Sequence, residues 1–412
     1  MSMRIKTRTI SCAVIFTLSS MMALGSGKHA AKAETVLVSA NGAGTGSGNG
    51  FSFAPVMSAD GRFVAFESLA ADLVADDANG DFDVFVRDLK TGTTTLVSAN
   101  RAGTGSGNGF SFAPAISADG RFVAFESFAT DLVADDDANG DFDVFVRDLK
   151  TGTTTLISVN RAGCGSGNGF SSAPAISADG RLVAFVSAND AGTSSGNSQS
   201  RFPVFSADGR SVAFDSLAGD LVANDTNFNS DVFVRDLHTG TTTLVSVNSA
   251  GTDSGNNGSG LAAVSANARF VAFVSSASDL AGNDTNFNSD VFVRDLKTGT
   301  TTLVSVNSAG TDSGNGFSID AAISDDGRFV AFGSYAGDLV ANDTNGGGDV
   351  FVRDLKTGTT TLVSVNRAGT DSGNGFSIAA AISADGRLVA FFSEASDLIA
   401  GDTNHDVATD AL

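Results

Sequence analysis

Short apolar runs recur along almost the whole chain, separated by Gly, Asp, Asn, Ser and Thr. Val64 and Phe66, and then Val84 and Val86, stand at alternate positions, the period of a strand with one covered face. Four strand segments follow one another in each stretch. They are of the types FSFAPAIS (110–117), RFVAFES (121–127), DVFVRDL (143–149) and TTTLVSVN, all rich in Val, Ile, Phe and Thr. Asp119-Gly120 between the first two segments predicts a two-residue type I′ hairpin, and Lys150-Thr151-Gly152 joins the last two in the same way. No helical period stands out.

The segments repeat. SADGR begins at Ser58, Ser117, Ser177, Ser206 and Ser383, with the variants SANAR at Ser265 and SDDGR at Ser324. Taken in chain order, the intervals between these starts are 59, 60, 29, 59, 59 and 59. DVFVRDL begins at Asp83, Asp143, Asp231, Asp290 and Asp349, and the TTTL phrase at Thr93, Thr153, Thr241, Thr300 and Thr359. Four strands per repeat of this length predict an all-β chain folded as a β-propeller. The one short interval lacks a third and fourth strand, so the expectation is six complete blades plus a two-stranded half-blade near 170–188. The alternative is a six-bladed ring with the half unit as an insertion. The phrase at 35–41 is a fourth strand with no blade before it, and 406–412 is a degenerate third strand with none after it. The N-terminal strand is therefore expected to complete the last blade and remove two open edges.

S-x-D-G-R-x-V-A-F followed by D-V-F-V-R-D-L-x-T-G resembles the TolB-like (WD40-like) β-propeller repeat, over essentially all of 34–412. The resemblance implies the fold and says little of function. TolB itself carries an α/β domain for which this chain has no room, and its turn before the third strand is more compact than Leu132 to Asn139 here. The envelope lipoproteins and Tol proteins known as TolB partners carry over only weakly.

Residues 1–33 change the picture of where the protein works. Arg4, Lys6 and Arg8 precede an apolar run from Ile10 to about Leu24, and Ala31-Lys32-Ala33 fits a small-x-small cleavage site, as in a secretory leader. The organisation expected is a leader at 1–33 and one propeller domain at 34–412, periplasmic or secreted, a monomer with no membrane span after cleavage. Removal of the leader takes five cations and no acid from a chain of net charge −21, leaving −26. That charge excludes a nucleic-acid partner, because phosphate contacts need clustered Lys and Arg. A single remaining cysteine, Cys164, excludes a disulfide framework.

The candidate chemistry lies in the acidic loop before the third strand. It presents Asp77, Asn79, Asp81 and Asp83 in the first repeat and Asp137, Asn139, Asp141 and Asp143 in the second. Later repeats present Asp225, Asn227, Asn229 and Asp231, then Asp284, Asn286, Asn288 and Asp290. Asp343, Asn345 and Asp349 follow, and finally Asp402, Asn404 and Asp406. Oxygen side chains at alternate positions converge on hard cations, and these loops resemble the calcium loops of integrin-type propellers, so calcium is the cofactor considered. Asx-turns use the same residues for purely structural ends. The S-x-D-G-R turn recurs seven times and is read as structural, its Arg pairing with a nearby carboxylate. His238 and Cys164 read as solvated side chains, and His405 as a loop residue. Glu67 and Glu126 are the one carboxylate pair that could face a common cleft as glycosidases require. Most of the 32 Phe residues are assigned to packing between blades. The expected function is a non-catalytic binding or scaffold propeller with a protein or polysaccharide partner. The rival is a secreted polysaccharide hydrolase or lyase.

Overall fold

Each four-stranded repeat folds as one antiparallel meander: the turns between its first and second and its third and fourth strands are too short for a crossover, and the longer acidic loop, from Ser68 to Asp83 in the first repeat, joins the two hairpins side by side. The protein is described here by a computed structural model, covering residues 14–17, 35–134, 140–160, 165–166, 169–187 and 198–399. The chain starts with β1 (Val14–Thr17) and β2 (Thr35–Leu37). The first complete sheet is β3 (Ser52–Met57), β4 (Phe63–Ser68), β5 (Asp83–Asp88) and β6 (Thr93–Leu96). The second is β7 (Ser111–Ile116), β8 (Phe122–Ser127), β9 (Asp143–Asp148) and β10 (Thr153–Leu156). A sheet of two strands follows, β11 (Ser171–Ile176) and β12 (Val183–Ser187). Four-stranded sheets resume with β13 (Ser200–Phe205), β14 (Ser211–Ser216), β15 (Asp231–Asp236) and β16 (Thr242–Leu244). Next come β17 (Ser259–Val264), β18 (Phe270–Ser275), β19 (Asp290–Asp295) and β20 (Thr300–Leu303). Then follow β21 (Ser318–Ile323), β22 (Phe329–Ser334), β23 (Asp349–Asp354) and β24 (Thr359–Leu362). β25 (Ser377–Ile382) and β26 (Leu388–Ser393) form the last sheet with β1 and β2, in the order β2-β1-β26-β25. The arrangement is all-β and that of a propeller.

The first strands of successive sheets touch one another in a cycle, β3 to β7, β11, β13, β17, β21, β25 and back to β3. They therefore surround the axis, and the TTTL strands lie outermost. The S-x-D-G-R turns form a second series round the same axis. Ala59 N–H donates to the Ala118 carbonyl at 3.1 Å and Ala118 N–H to Ala178 at 3.0 Å. Asp208 donates to Ala266, Ala266 to Asp325 and Asp325 to Ala384 at 2.9–3.0 Å, and Ala384 N–H returns to the Ala59 carbonyl at 3.2 Å.

Two expectations need correction. The third-strand position of the last sheet is held by β1, from the apolar run of the leader, in the register of the other sheets: Val14 pairs Phe391 and Leu37. Phe351 likewise pairs Phe332 and Leu362. The segment 406–412, expected in that position, lies outside the described residues. β2 does take the fourth position. Cleavage after Ala33 would open the position between β26 and β2. The Asp-Gly turns are not type I′, which needs positive φ at both central residues. Only Gly120 is left-handed (φ 71°), and the connection runs from Ser117, whose N–H donates to the Phe122 carbonyl. The Ser117 hydroxyl accepts the Phe122 N–H and the Asp119 carboxylate accepts the Arg121 N–H, so three polar groups set a longer turn.

Sheet-to-sheet packing is strictly two-faced. Val64, Phe66 and Phe85 pack toward Ala390 and Phe392 of the preceding sheet. Ala65, Val84 and Val86 pack toward Val123 and Phe125 of the following one. The period-two pattern thus buries both faces of each blade.

The turn arginines pair as expected wherever a DVFVRD strand lies beside them. Arg62 is bidentate on Asp88, with Nη2 2.7 Å from Oδ2, and Arg121–Asp148, Arg269–Asp295 and Arg328–Asp354 repeat it. The two-stranded sheet has no such strand and the last sheet has β1 in its place. There Arg181 and Arg387 fall back on Asp179 and Asp385 of their own turns, at 3.7 and 3.6 Å. The guanidinium contacts hold the Asp88, Asp148 and Asp295 carboxyls well below the usual carboxylate range, and Asp354 at about 2. A depressed folded-state pKa gives stability that is present above the unfolded value near 4 and lost as pH falls below it. The melting temperature should therefore drop between pH 4 and 2. The drop should be shallower in the Arg62→Gln, Arg121→Gln, Arg269→Gln, Arg328→Gln variant, as followed by circular dichroism.

Candidate functional site: the inner mouth and the acidic loops

The first strand of every sheet carries a β-bulge, seen as a register shift such as that between Phe53 and Val56. Its residue is left-handed in each case: Ala54, Ala113, Ala173, Phe202, Leu261, Asp320 and Ala379, with φ between 46° and 59°. The bulge frees a backbone N–H near the axis. A carboxylate of the preceding sheet takes up four of these groups. Glu67 Oε2 accepts from Ala113 N–H at 3.0 Å and Glu126 Oε2 from Ala173 N–H at 2.8 Å. Asp215 serves Leu261 and Asp320 serves Ala379. Burial raises all four carboxyls, Asp215 to about 6, and the Glu126 charge adds to the rise at Glu67.

Around these acids runs an arc of aromatic rings that the sequence pattern does not announce. Phe317 stacks on Tyr335 at 4.2 Å, and the chain of contacts continues through Phe376, Phe392 and Phe53. It goes on through Phe82, Phe112 and Phe142 to Phe170, each step 5.5–6.1 Å between centroids. Phe110, Phe128, Phe170, Phe317 and Tyr335 remain about two-fifths exposed. Glu67 lies opposite Phe53 in the ladder and Glu126 opposite Phe112, so the two acids are set into the arc. Phe53, Phe376 and Phe392 of this arc also pack into the core between the last and first sheets, as expected of most Phe residues. Phe66, Phe85, Phe125, Phe145 and their copies are fully buried, and the arc is a second, surface-reaching set. No sequence separation pointed to it, because contacts such as that of Phe53 with Phe392 join neighbouring sheets from opposite ends of the chain.

The acidic loops divide their residues in two. Asn79 Oδ1 accepts from Asp81 N–H at 2.9 Å and its amide donates to the Gly107 carbonyl at 2.8 Å. The side chains of Asn227, Asn286 and Asn345 likewise accept from the N–H groups of Asn229, Asn288 and Gly347. These asparagines make Asx-turns that tie the loop to its neighbour. The aspartates at the two ends come together instead. Asp77 and Asp83 are both buried, and so are Asp225 with Asp231, Asp284 with Asp290, and Asp343 with Asp349. Burial, together with the charge of the partner acid, pushes Asp83, Asp231, Asp290 and Asp349 up to about 7. Asp137, Asn139, Asp402, Asn404 and Asp406 lie outside the described residues, as do Cys164 and His405; Asp141 and Asp143 are described and engaged. Among the described residues no three of His, Cys, Asp and Glu converge on one point. As a fit to calcium, each pair offers up to four carboxylate oxygens where the ion takes six to eight, so water would complete the shell.

The residue after the loop asparagine is left-handed in five of these loops. Gly80, Gly140 and Gly346 fill it with φ of 75°, 74° and 68°, but Phe228 and Phe287 do so at 61° and 59° with rings 89% and 83% exposed. A side chain pays about 1–2 kcal/mol for that conformation. Phe287→Gly should therefore raise stability by roughly 1 kcal/mol, read from the urea midpoint at unchanged slope.

Outer clefts of about 380, 400 and 660 Å³ recur beside Arg147, Arg294 and Arg87. Arg87 bonds the Thr94 hydroxyl rather than a carboxylate, and Arg147 and Arg294 repeat this with Thr154 and Thr301. His238 is exposed, as expected.

No protein-family model and no curated protein matches the sequence. Among solved structures the chain is similar to TolB from Acinetobacter baumannii, at 15% identity and a TM-score of 0.40 over 96% of this chain and 65% of that one. A putative TolB from Agrobacterium tumefaciens gives 14% identity and a TM-score of 0.44 over 93% and 98% of the two chains. The β-propeller domain of the Trilobed protease from Pyrococcus furiosus gives 11% and 0.47 over 86% and 99%. What this chain is similar to, in its repeat phrases and among solved folds alike, is the TolB-like β-propeller.

Proposed function

We propose that the protein is an exported, non-catalytic binding propeller. In this reading the sheets of the exported chain, five of four strands, one of two and the last without the leader strand β1, close on themselves as a single ring. The mouth of that ring receives a cationic segment of a partner protein. The observation that carries the reading is the engagement of the mouth carboxylates. Glu67 and Glu126, the candidates for acid–base work, each hold a backbone N–H of the next sheet. An enzyme needs unlike groups free to reach one reacting atom. Here one structural task is repeated from sheet to sheet. The remaining lone pairs of these acids, the negative quadrupole faces of the adjoining rings and a net charge of −21 all favour a positive, partly apolar ligand.

Calorimetric titration with an Arg- and Lys-rich decapeptide, beside a panel of neutral oligosaccharides, tests this. Expected is salt-sensitive peptide binding weakened about tenfold in Glu67→Gln, Glu126→Gln. Oligosaccharide binding without peptide binding would overturn it. So would glycoside hydrolysis that disappears in the same variant.

A further inference from the structure

We propose that each acidic loop holds a hard divalent cation between its first aspartate and the aspartate that opens the third strand. The described sites are Asp77 with Asp83 and its three copies, for example Asp284 with Asp290. The inference is independent of what the mouth binds.

Three observations converge on it. The paired acids are withdrawn from water: Asp83 and Asp290 are 0% exposed, and Asp77 and Asp284 are 6%. Buried oxygens of each pair have no hydrogen-bond donor: Asp77 Oδ1 with Asp83 Oδ2, and both Asp284 oxygens with Asp290 Oδ2. The same lack of donors recurs at Asp225 Oδ1 with Asp231 Oδ2 and at Asp343 with Asp349. Finally, the other oxygen of the strand aspartate is fixed. The Ser98 hydroxyl donates to Asp83 Oδ1 while accepting the Val84 N–H, which orients the free oxygen toward its partner acid.

A buried carboxylate oxygen without a donor is costly, and two that face each other add repulsion. A hard cation removes both costs with the ligand type it prefers. The ligand pair differs from that of alternate-position loops, because the asparagine oxygens between are committed to Asx-turns. Calcium and magnesium share this chemistry. Magnesium commonly keeps several waters and takes one or two carboxylates, so the two ions are separated by experiment.

The test uses the full chain, stripped with EDTA and dialysed against calcium or magnesium chloride, with bound metal measured by emission spectrometry. At least four ions per chain are expected, with a higher melting temperature than in EDTA. Asp290→Asn should lower the count by one while far-UV circular dichroism is unchanged. Asp81→Asn, which removes an equal charge from the half-buried middle of the first loop and none of the paired acids, should leave the count alone. Absence of bound metal at millimolar concentration overturns the proposal, as do equal melting curves with and without EDTA. An equal loss in Asp81→Asn overturns it too, since it marks diffuse attraction to the acidic surface.

Discussion

Phe292→Ala is expected to lower the unfolding free energy by about 3–5 kcal/mol. Its ring is 0% exposed and stacks at 5.9 Å on Phe273 of the neighbouring strand. It belongs to a cluster with Val232, Val234 and Ala213 of the preceding sheet. Removing it therefore opens a void at the seam between two blades rather than inside one. Neighbours on both sides are held by ladder hydrogen bonds, so the seam cannot collapse to fill it. A urea titration followed by circular dichroism measures the loss. Phe287→Ala, a little earlier in the chain and exposed, is the control and should show no loss. A Phe292 variant that melts like the control would mean that the blades do not meet at that seam.

Ser305→Ala should cost about 3 kcal/mol, an unusual penalty for removing one oxygen atom. Ser305 is 0% exposed, donates to the equally buried Asp290 carboxylate, and accepts the Val291 N–H at 3.1 Å. The change leaves an acid and an amide without partners in a place that water does not reach. Ser98, Ser246 and Ser364 hold the same post beside Asp83, Asp231 and Asp349. Ser305→Thr retains the hydroxyl and should recover part of the loss in the same titration. An alanine variant whose loss is no larger than that of an ordinary surface substitution, about 0.5 kcal/mol, would remove the latch from the account.

The parts legible in the sequence were those encoded locally and repeated. Strand positions, the two-faced core and the pairing of Arg62 follow from period-two patterning and from phrases that recur at a nearly constant spacing. The turn at Asp119-Gly120 departs from expectation because the dipeptide is also compatible with a longer turn. The Ser117 hydroxyl, two residues upstream, selects that longer form by bonding Asp119. The mouth was legible only in part: Glu67 and Glu126 stood out as a pair for one cleft, but the contacts that hold them did not. Glu67 meets Ala113 and Phe53 meets Phe392 only through blade-to-blade geometry, and no local pattern encodes it. In the acidic loops the alternation of Asp and Asn marks an oxygen-rich segment. Which oxygens face inward is decided by the Asx-turn of Asn79 and the clamp from Ser98, and the clamp depends on a strand that lies elsewhere in the sequence. β1 shows the limit of reading segments by class. An apolar run suited to a leader is also suited to a strand inside a sheet, and Val14–Thr17 satisfies both descriptions.

Closure of the ring is the claim on which the mouth, the seams and the carboxylate caps all rest. Cysteines placed at Ala59 and Ala384, in a chain with Cys12 and Cys164 replaced by serine, probe it directly. The two backbones meet at 3.2 Å although one belongs to the first complete sheet and the other to the last. Mild oxidation should give an intramolecular disulfide in the monomer, seen as faster migration on a denaturing gel that reverts on reduction. A control pair at Ala59 and Ala118, adjacent in the same series of turns, should also form. If the control forms and the 59–384 pair does not, the sheets lie in an open arc and the account is wrong.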